Sequence, residues 1–228
     1  MSFMQLEDVD VDGAIRDAGE GVSGHTRADL LRKGALTGGA ILTSGAFLGM
    51  LPEIASAKPS AKQDLKILNY ALTLEYLEAA FYKEAVSDGG LAGPSLEFAK
   101  LVADHEQTHV TVLRQTIKSL GHKPVSRPKF DFKGSNQGSS FNGTAFVLEN
   151  TGVRAYLGQV KAIRNKTILA AAASIVTVEA RHAAAIAVII DSSKLQGKQG
   201  VTPSGAFDRA SSMKTILGEV GKTGFITG

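Results

Sequence analysis

The sequence predicts an all-α protein, a four-helix bundle with one long crossover between its second and third helices. Three observations lead there. Apolar residues recur at spacings of three and four through four successive stretches between Asp64 and Ile190, the period of helices with one buried face. The links between the first two stretches and between the last two are short, while the middle link runs through residues 121–140. The four stripes also carry polar residues in a fixed order: Glu75, then Glu106-Gln-Thr-His109, then Glu149, then Glu179-Ala-Arg-His182. A four-helix bundle uses that ligand set to hold two metal ions between its helices.

Residues 1–57 read as an address preceding the bundle. They are acidic up to Leu31, then carry Arg32-Lys33, an uncharged run from Gly34 to Leu51, Pro52, and the small-residue site Ala55-Ser56-Ala57. Basic, apolar, then A-x-A is the order of an export signal. The modest hydrophobicity and the basic pair are similar to a twin-arginine signal, with Lys33 in place of the second arginine. Cleavage near Ala57 would place the mature chain in the periplasm or outside the cell. Retention would make the segment an anchor, the chain's one expected contact with a membrane, although eighteen uncharged residues with five glycines barely span a bilayer.

The bundle is expected over residues 58–190. In the first helix Leu68, Leu72, Glu75, Ala79 and Tyr82 share one stripe, ending near Ser87-Asp88-Gly89-Gly90. Pro94 is well placed to open the second helix. Val102, Glu106, His109 and Leu113 line that helix, and Gly121-His122-Lys123-Pro124 stops it. Residues 121–140 have loop-like Pro, Gly and Ser content without a period. The third helix is expected from Phe141 to Ile163, with Ala145, Glu149, Gly152 and Tyr156 on one face. Arg164-Asn165-Lys166 then lead into a fourth, with Ala172, Ile175, Glu179, His182, Ile186 and Ile189 inward. Extended, the middle link could span about 60 Å, longer than a six-turn helix, so helices two and three can run parallel. Residues 191–228 form a tail with a short helix expected near Met213–Val220, packing on the bundle or mediating a homodimer.

Composition narrows the function. With no cysteine, disulfides and thiolate metal sites are excluded. The net charge of +3 divides into −4 over residues 1–57 and +7 over residues 58–228. The basic residues of the second part are scattered (Lys100, Arg114, Lys118, Lys161, Arg164, Lys166) without interleaved aromatics, so nucleic acid is not an expected partner.

The paired motif carries the chemistry. Residues three apart share a helix face, so each Glu-x-x-His can turn both ligands inward. A given His has a Glu three positions earlier about one time in twenty at ordinary composition; two such matches among five histidines, both on apolar stripes, are hard to obtain by chance. Four carboxylates and two imidazoles suit a pair of iron or manganese ions better than zinc or calcium. Arg154 and Arg181, the nearest cations in sequence, do not share a face with Glu149 or Glu179. Tyr82 and Tyr156 each follow a candidate ligand by seven residues and are candidates for redox tyrosines as well as for core packing. Glu78 falls off the main stripe and is expected at the surface or in support of the ligands from outside, His105 points away from the stripe, and Gly152 stands where a His would follow Glu149 by three. His25 and His122 lie in loop-like sequence.

Four stretches, LNYALTLEYLEAAFY (68–82), DHEQTHVTVL (104–113), LENTGVRAYLG (148–158) and TVEARHAAAI (177–186), resemble the ferritin-like superfamily, and within it the group named for desiccation-related proteins. The resemblance implies that Glu106 and Glu179 bridge two metals, that His109 and His182 bind one each, and that Glu75 and Glu149 are terminal carboxylates. It implies two iron ions, or manganese, reacting with oxygen or peroxide, as a ferroxidase or peroxide scavenger in an exported stress protein. A non-catalytic desiccation or stress protein whose metal pair staples the bundle is the alternative, and an oxidase with an organic substrate a third.

Overall fold

The computed structural model describes residues 60–197, 199–203 and 205–227. The export-signal reading of residues 1–57 lies outside them. Among the described residues there are five α-helices and no named strand: α1 (Ala61–Asp88), α2 (Gly93–Ser119), α3 (Ser140–Leu157), α4 (Lys166–Asp191) and α5 (Met213–Thr223), with a 3₁₀ turn at Val160–Ala162.

Local chemistry sets the helix ends. Ser60 caps α1 through Oγ, which accepts from the Gln63 amide at 3.1 Å. Pro94 lies in the first turn of α2, where a missing N–H costs nothing. Asn165 Oδ1 accepts from the amides of Thr167 and Ile168, satisfying two donors that α4 cannot pair internally. Just before that cap, the buried Asp64 carboxylate accepts from the amides of Arg164 and Asn165, tying the start of α1 to the α3–α4 link.

α1 packs most extensively on α2, and α3 on α4, as two antiparallel hairpins. The crossover runs the length of α1. At one end the Val125 amide donates to Asn69 Oδ1, early in α1; at the other the Gly138 amide donates to the Gly89 carbonyl, just past its last turn. α2 and α3 therefore begin at the same end of the bundle and run parallel.

α3 is shorter than the sequence pattern suggests, stopping at Leu157 rather than Ile163. The tail causes this. The Arg154 carbonyl accepts from both Gly158 N (3.1 Å) and Ser211 N (3.0 Å), and a Cβ at Gly158 would lie 1.8 Å from the Ser211 oxygen. Only glycine permits that approach, and the chain leaves α3 there through the 3₁₀ turn.

The core has two clusters. Phe81 stacks on Phe141 at 5.6 Å and meets Phe132 edge-on at 5.4 Å, in a cluster that includes Phe98 and Val102 of α2 and Ile186 of α4. The second cluster holds Leu68 and Leu72 with Val110, Leu113 and Ile117 of α2 and Ile168 and Ile175 of α4. Along α2 and α4 the two clusters leave a gap, and Glu106, His109, Glu179 and His182 occupy it. Ile216 and Val220 of α5, with Phe225, join the first cluster. A bidentate Arg154–Glu219 pair (2.7 and 3.3 Å) adds a polar clasp from α3 to α5.

Candidate metal centre

Each helix of the bundle contributes its polar residues near mid-length, so they meet at one depth. Glu75, Glu106, Glu149 and Glu179 are all fully buried, and His109 and His182 nearly so. They form two groups, Glu75/Glu106/His109/Glu179 and Glu106/Glu149/Glu179/His182, each with ligand atoms within 4.8 Å of one another. Glu106 and Glu179 belong to both.

The two halves are related by an approximate two-fold exchange of α1 with α3 and α2 with α4. His109 Nδ1 donates to Glu106 Oε2 (3.0 Å) and Glu75 Oε2 (3.2 Å), and lies 3.3 Å from Glu179 Oε1. Its counterpart, His182 Nδ1, donates to Glu149 Oε2 (3.1 Å) and lies 3.2 Å from Glu106 Oε1. The tyrosines cross over in the same manner: Tyr156 on α3 donates its hydroxyl to Glu75 on α1, and Tyr82 on α1 donates to Glu149 on α3. Three oxygens at the centre, Glu106 Oε1 and both of Glu179, are buried without a well-aligned hydrogen-bond donor.

Burial, and then the charge of Glu75, pushes Glu106 well above the usual carboxylate range; burial followed by the charge of Glu106 does the same to Glu179. Burial acts the same way on Glu75, but hydrogen bonds led by that from His109 overcome it and hold this carboxyl below its ordinary value. Burial opposes charge on His109, yet the surrounding carboxylates of Glu106, Glu179 and Glu75 raise it to about 12. Neither Arg154 nor Arg181 compensates these carboxylates: Arg154 is engaged by Glu219, and Arg181 Nη1 donates to the Thr177 carbonyl on an exposed face.

Four buried carboxylates at one depth repel strongly, and two divalent cations would balance their charge. The donor set of carboxylate oxygens and imidazole nitrogens fits such ions, and the undonated oxygens of Glu106 and Glu179 are where they would be satisfied. The residues present therefore fit a metal, and these buried Glu/His clusters can hold one.

Three features were not legible as site residues. Glu78 is buried rather than at the surface, because α1 is covered on nearly every side and has little solvent face for an off-stripe residue. His105 Nδ1 lies 2.8 Å from His182 Nε2, with the rings stacked at 5.1 Å, so it orients that imidazole from behind. At Gly152 a Cβ would come within 3.1 Å of Glu179 Oε2 and 3.5 Å of Glu78 Oε1, so the glycine makes room for two carboxylates. Glu78 follows Glu75 by three, which was the only available signal. His122 is exposed in the crossover.

A cavity of about 200 Å³ lies beside His109, lined also by Val112, Ala171, Ser174, Ile175 and Val178. Three of those residues, Val112, Ala171 and Ile175, also line a smaller apolar cavity of about 30 Å³ that reaches Tyr156.

No curated protein matches the chain in a sequence comparison. The sequence profile of the ferritin-like domain matches residues 63–192, the span of α1 to α4 that carries both Glu/His clusters. With more than half its length matched, the chain belongs to the ferritin-like domain family.

Proposed function

We propose that the chain is a di-iron carboxylate protein that reacts with oxygen or peroxide, with manganese the alternative metal. The observation that supports this best is the position of Glu106 and Glu179. Each is fully buried, each belongs to both candidate ligand groups, and between them they carry three buried oxygens without a donor. In this reading the two glutamates bridge, Glu75 and His109 hold one ion, and Glu149 and His182 hold the other. Two ferrous ions bound there would supply two electrons to one oxidant.

The chain's own groups do the positioning. Tyr156 and Tyr82 hold their protons, since burial first and the neighbouring carboxylate charge second raise both hydroxyls well above their ordinary values. Their hydrogen bonds fix the terminal carboxylates Glu75 and Glu149. The two apolar clusters on either side keep bulk water from the centre. The export grammar of Arg32-Lys33 through Ala57, and the resemblance to desiccation-related proteins, support a stress role outside the cytoplasm in handling iron and peroxide.

The test is metal analysis of the full chain, loaded with ferrous iron without oxygen and then exposed to it. Two irons per chain and a transient visible absorption, both lost in Glu106→Ala, support the reading. Retained iron with no response to oxygen or peroxide favours a metal that only staples the bundle. If neither iron nor manganese survives desalting, the metal-centre reading fails.

A further inference from the structure

The approximate two-fold relation is kept by every proposed ligand and broken at two positions. Each terminal glutamate is followed three residues later by a position facing the centre: Glu78 after Glu75, and Gly152 after Glu149. Each histidine is preceded by four by a position that faces the other histidine: His105, before His109, meets His182, and Val178, before His182, lines the cavity beside His109. The broken pairs are complementary. Gly152 lacks a side chain where Glu78 projects one, and His105 backs His182 whereas Val178 lines an open cavity beside His109.

We propose that Glu78 is a seventh protein ligand, serving the divalent cation held by Glu149 and His182, so that this half of the centre binds more tightly than the half at His109. The inference rests on the di-metal reading above and extends it. Glu78 is 96% buried, with 4% of its surface exposed. A carboxylate in that state is costly without a cation. Its Oε1 and Glu179 Oε2 lie within 3.5 Å of a single point, the position a Cβ at residue 152 would take. The direction along α1 agrees: Glu75 belongs to the His109 half, and Tyr82, one turn beyond Glu78, reaches Glu149 of the other. Among neighbouring charges, those of Glu179 and Glu149 act on Glu78 most strongly after burial itself.

The surroundings separate the two halves further. The His182 ring is held by His105 on one side and meets Phe98 edge-on at 6.5 Å. An orienting partner behind a ligating imidazole raises metal affinity. His109 instead borders the cavity of about 200 Å³, so its ion has the shorter way in and out. The chemistry expected is that of an oxygen-preferring divalent cation, with one site retained and one exchangeable.

The experiment is a Mn²⁺ titration of the metal-free full chain, followed by equilibrium dialysis and the paramagnetic resonance of free and bound Mn²⁺. Wild type is expected to take two ions in unequal steps. Glu78→Gln, which keeps the shape, should weaken the tighter step by about 10-fold or more and leave the weaker one within about 2-fold. His182→Ala should remove that same tighter step, and Gly152→Ala, which crowds Glu179 and Glu78, should weaken it while the helical signal is retained. A Glu78→Gln chain that binds both ions as wild type does, or loses affinity equally in both steps, overturns the proposal, because Glu78 would then act only as a distant charge. A wild-type chain that takes up no Mn²⁺ and no Fe²⁺ overturns the di-metal reading itself.

Discussion

Glu106→Gln should change stability in opposite directions with and without metal. In the metal-free protein Glu106 is fully buried, and burial together with the charge of Glu75 raises it well above its unfolded value. Between the unfolded and folded values the native state binds more protons than the unfolded state. Stability from this group is therefore present at low pH and lost as pH rises through that interval. Glutamine removes the ionisation, and its carbonyl can still accept the His109 bond at 3.0 Å. The metal-free variant should be more stable than wild type by about 1–3 kcal/mol at pH 7, or about 2–12 °C in Tm for a chain of this size. Near pH 5 that gain should shrink. With metal at about a thousandfold over its dissociation constant, wild type gains roughly 4 kcal/mol per ion, and the variant, lacking the carboxylate that would bridge the ions in the proposed centre, should forfeit much of it. The assay is thermal unfolding at pH 5 and pH 7.5, each with chelator and with Mn²⁺. A variant destabilised equally in all four conditions would refute the reasoning, since Glu106 would then serve packing alone.

Metal affinity should rise from pH 5 to pH 7.5 with net proton release, because Glu106 and Glu179 are raised by burial and His109 is raised to about 12 by its carboxylates; calorimetry in buffers of different ionisation enthalpy counts the protons. Tyr156→Phe removes the hydroxyl that donates to Glu75 and should cost about 1–3 kcal/mol, read by chemical denaturation, with a larger loss of metal affinity than at a buried phenylalanine changed elsewhere. Ile216→Ala empties a fully buried site where α5 meets the first apolar cluster and should cost about 2–5 kcal/mol while leaving metal stoichiometry unchanged. Arg154→Ala should cost at most about 1 kcal/mol, since the partly exposed pair with Glu219 is screened by solvent.

Much of the bundle could be read from spacing alone because each helix has a buried stripe, and Glu75, Glu106, Glu149 and Glu179 lie on those stripes. The end of α3 could not: Val160–Ile163 continue an apolar pattern, and only contact with Ser211, far along the chain, halts the helix at Gly158. Glu78 falls off the stripe yet is buried, for a related reason. A single apolar stripe implies an opposite face in solvent, whereas α1 has α2, α3 and the crossover around it. His105 sits on the edge of its own helix, and its contact is with an imidazole 77 residues away.

The sequence by itself determined that this chain has four amphipathic helices, a parallel middle pair and six inward-facing Glu and His residues, because helical period and link length are local properties. Only the tertiary structure decided what surrounds those residues. Which oxygens lack donors, which tyrosine reaches which carboxylate, why Glu78 is buried and why His105 meets His182 all depend on distances between helices. Those distances follow from packing two hairpins around a shared set of buried charges.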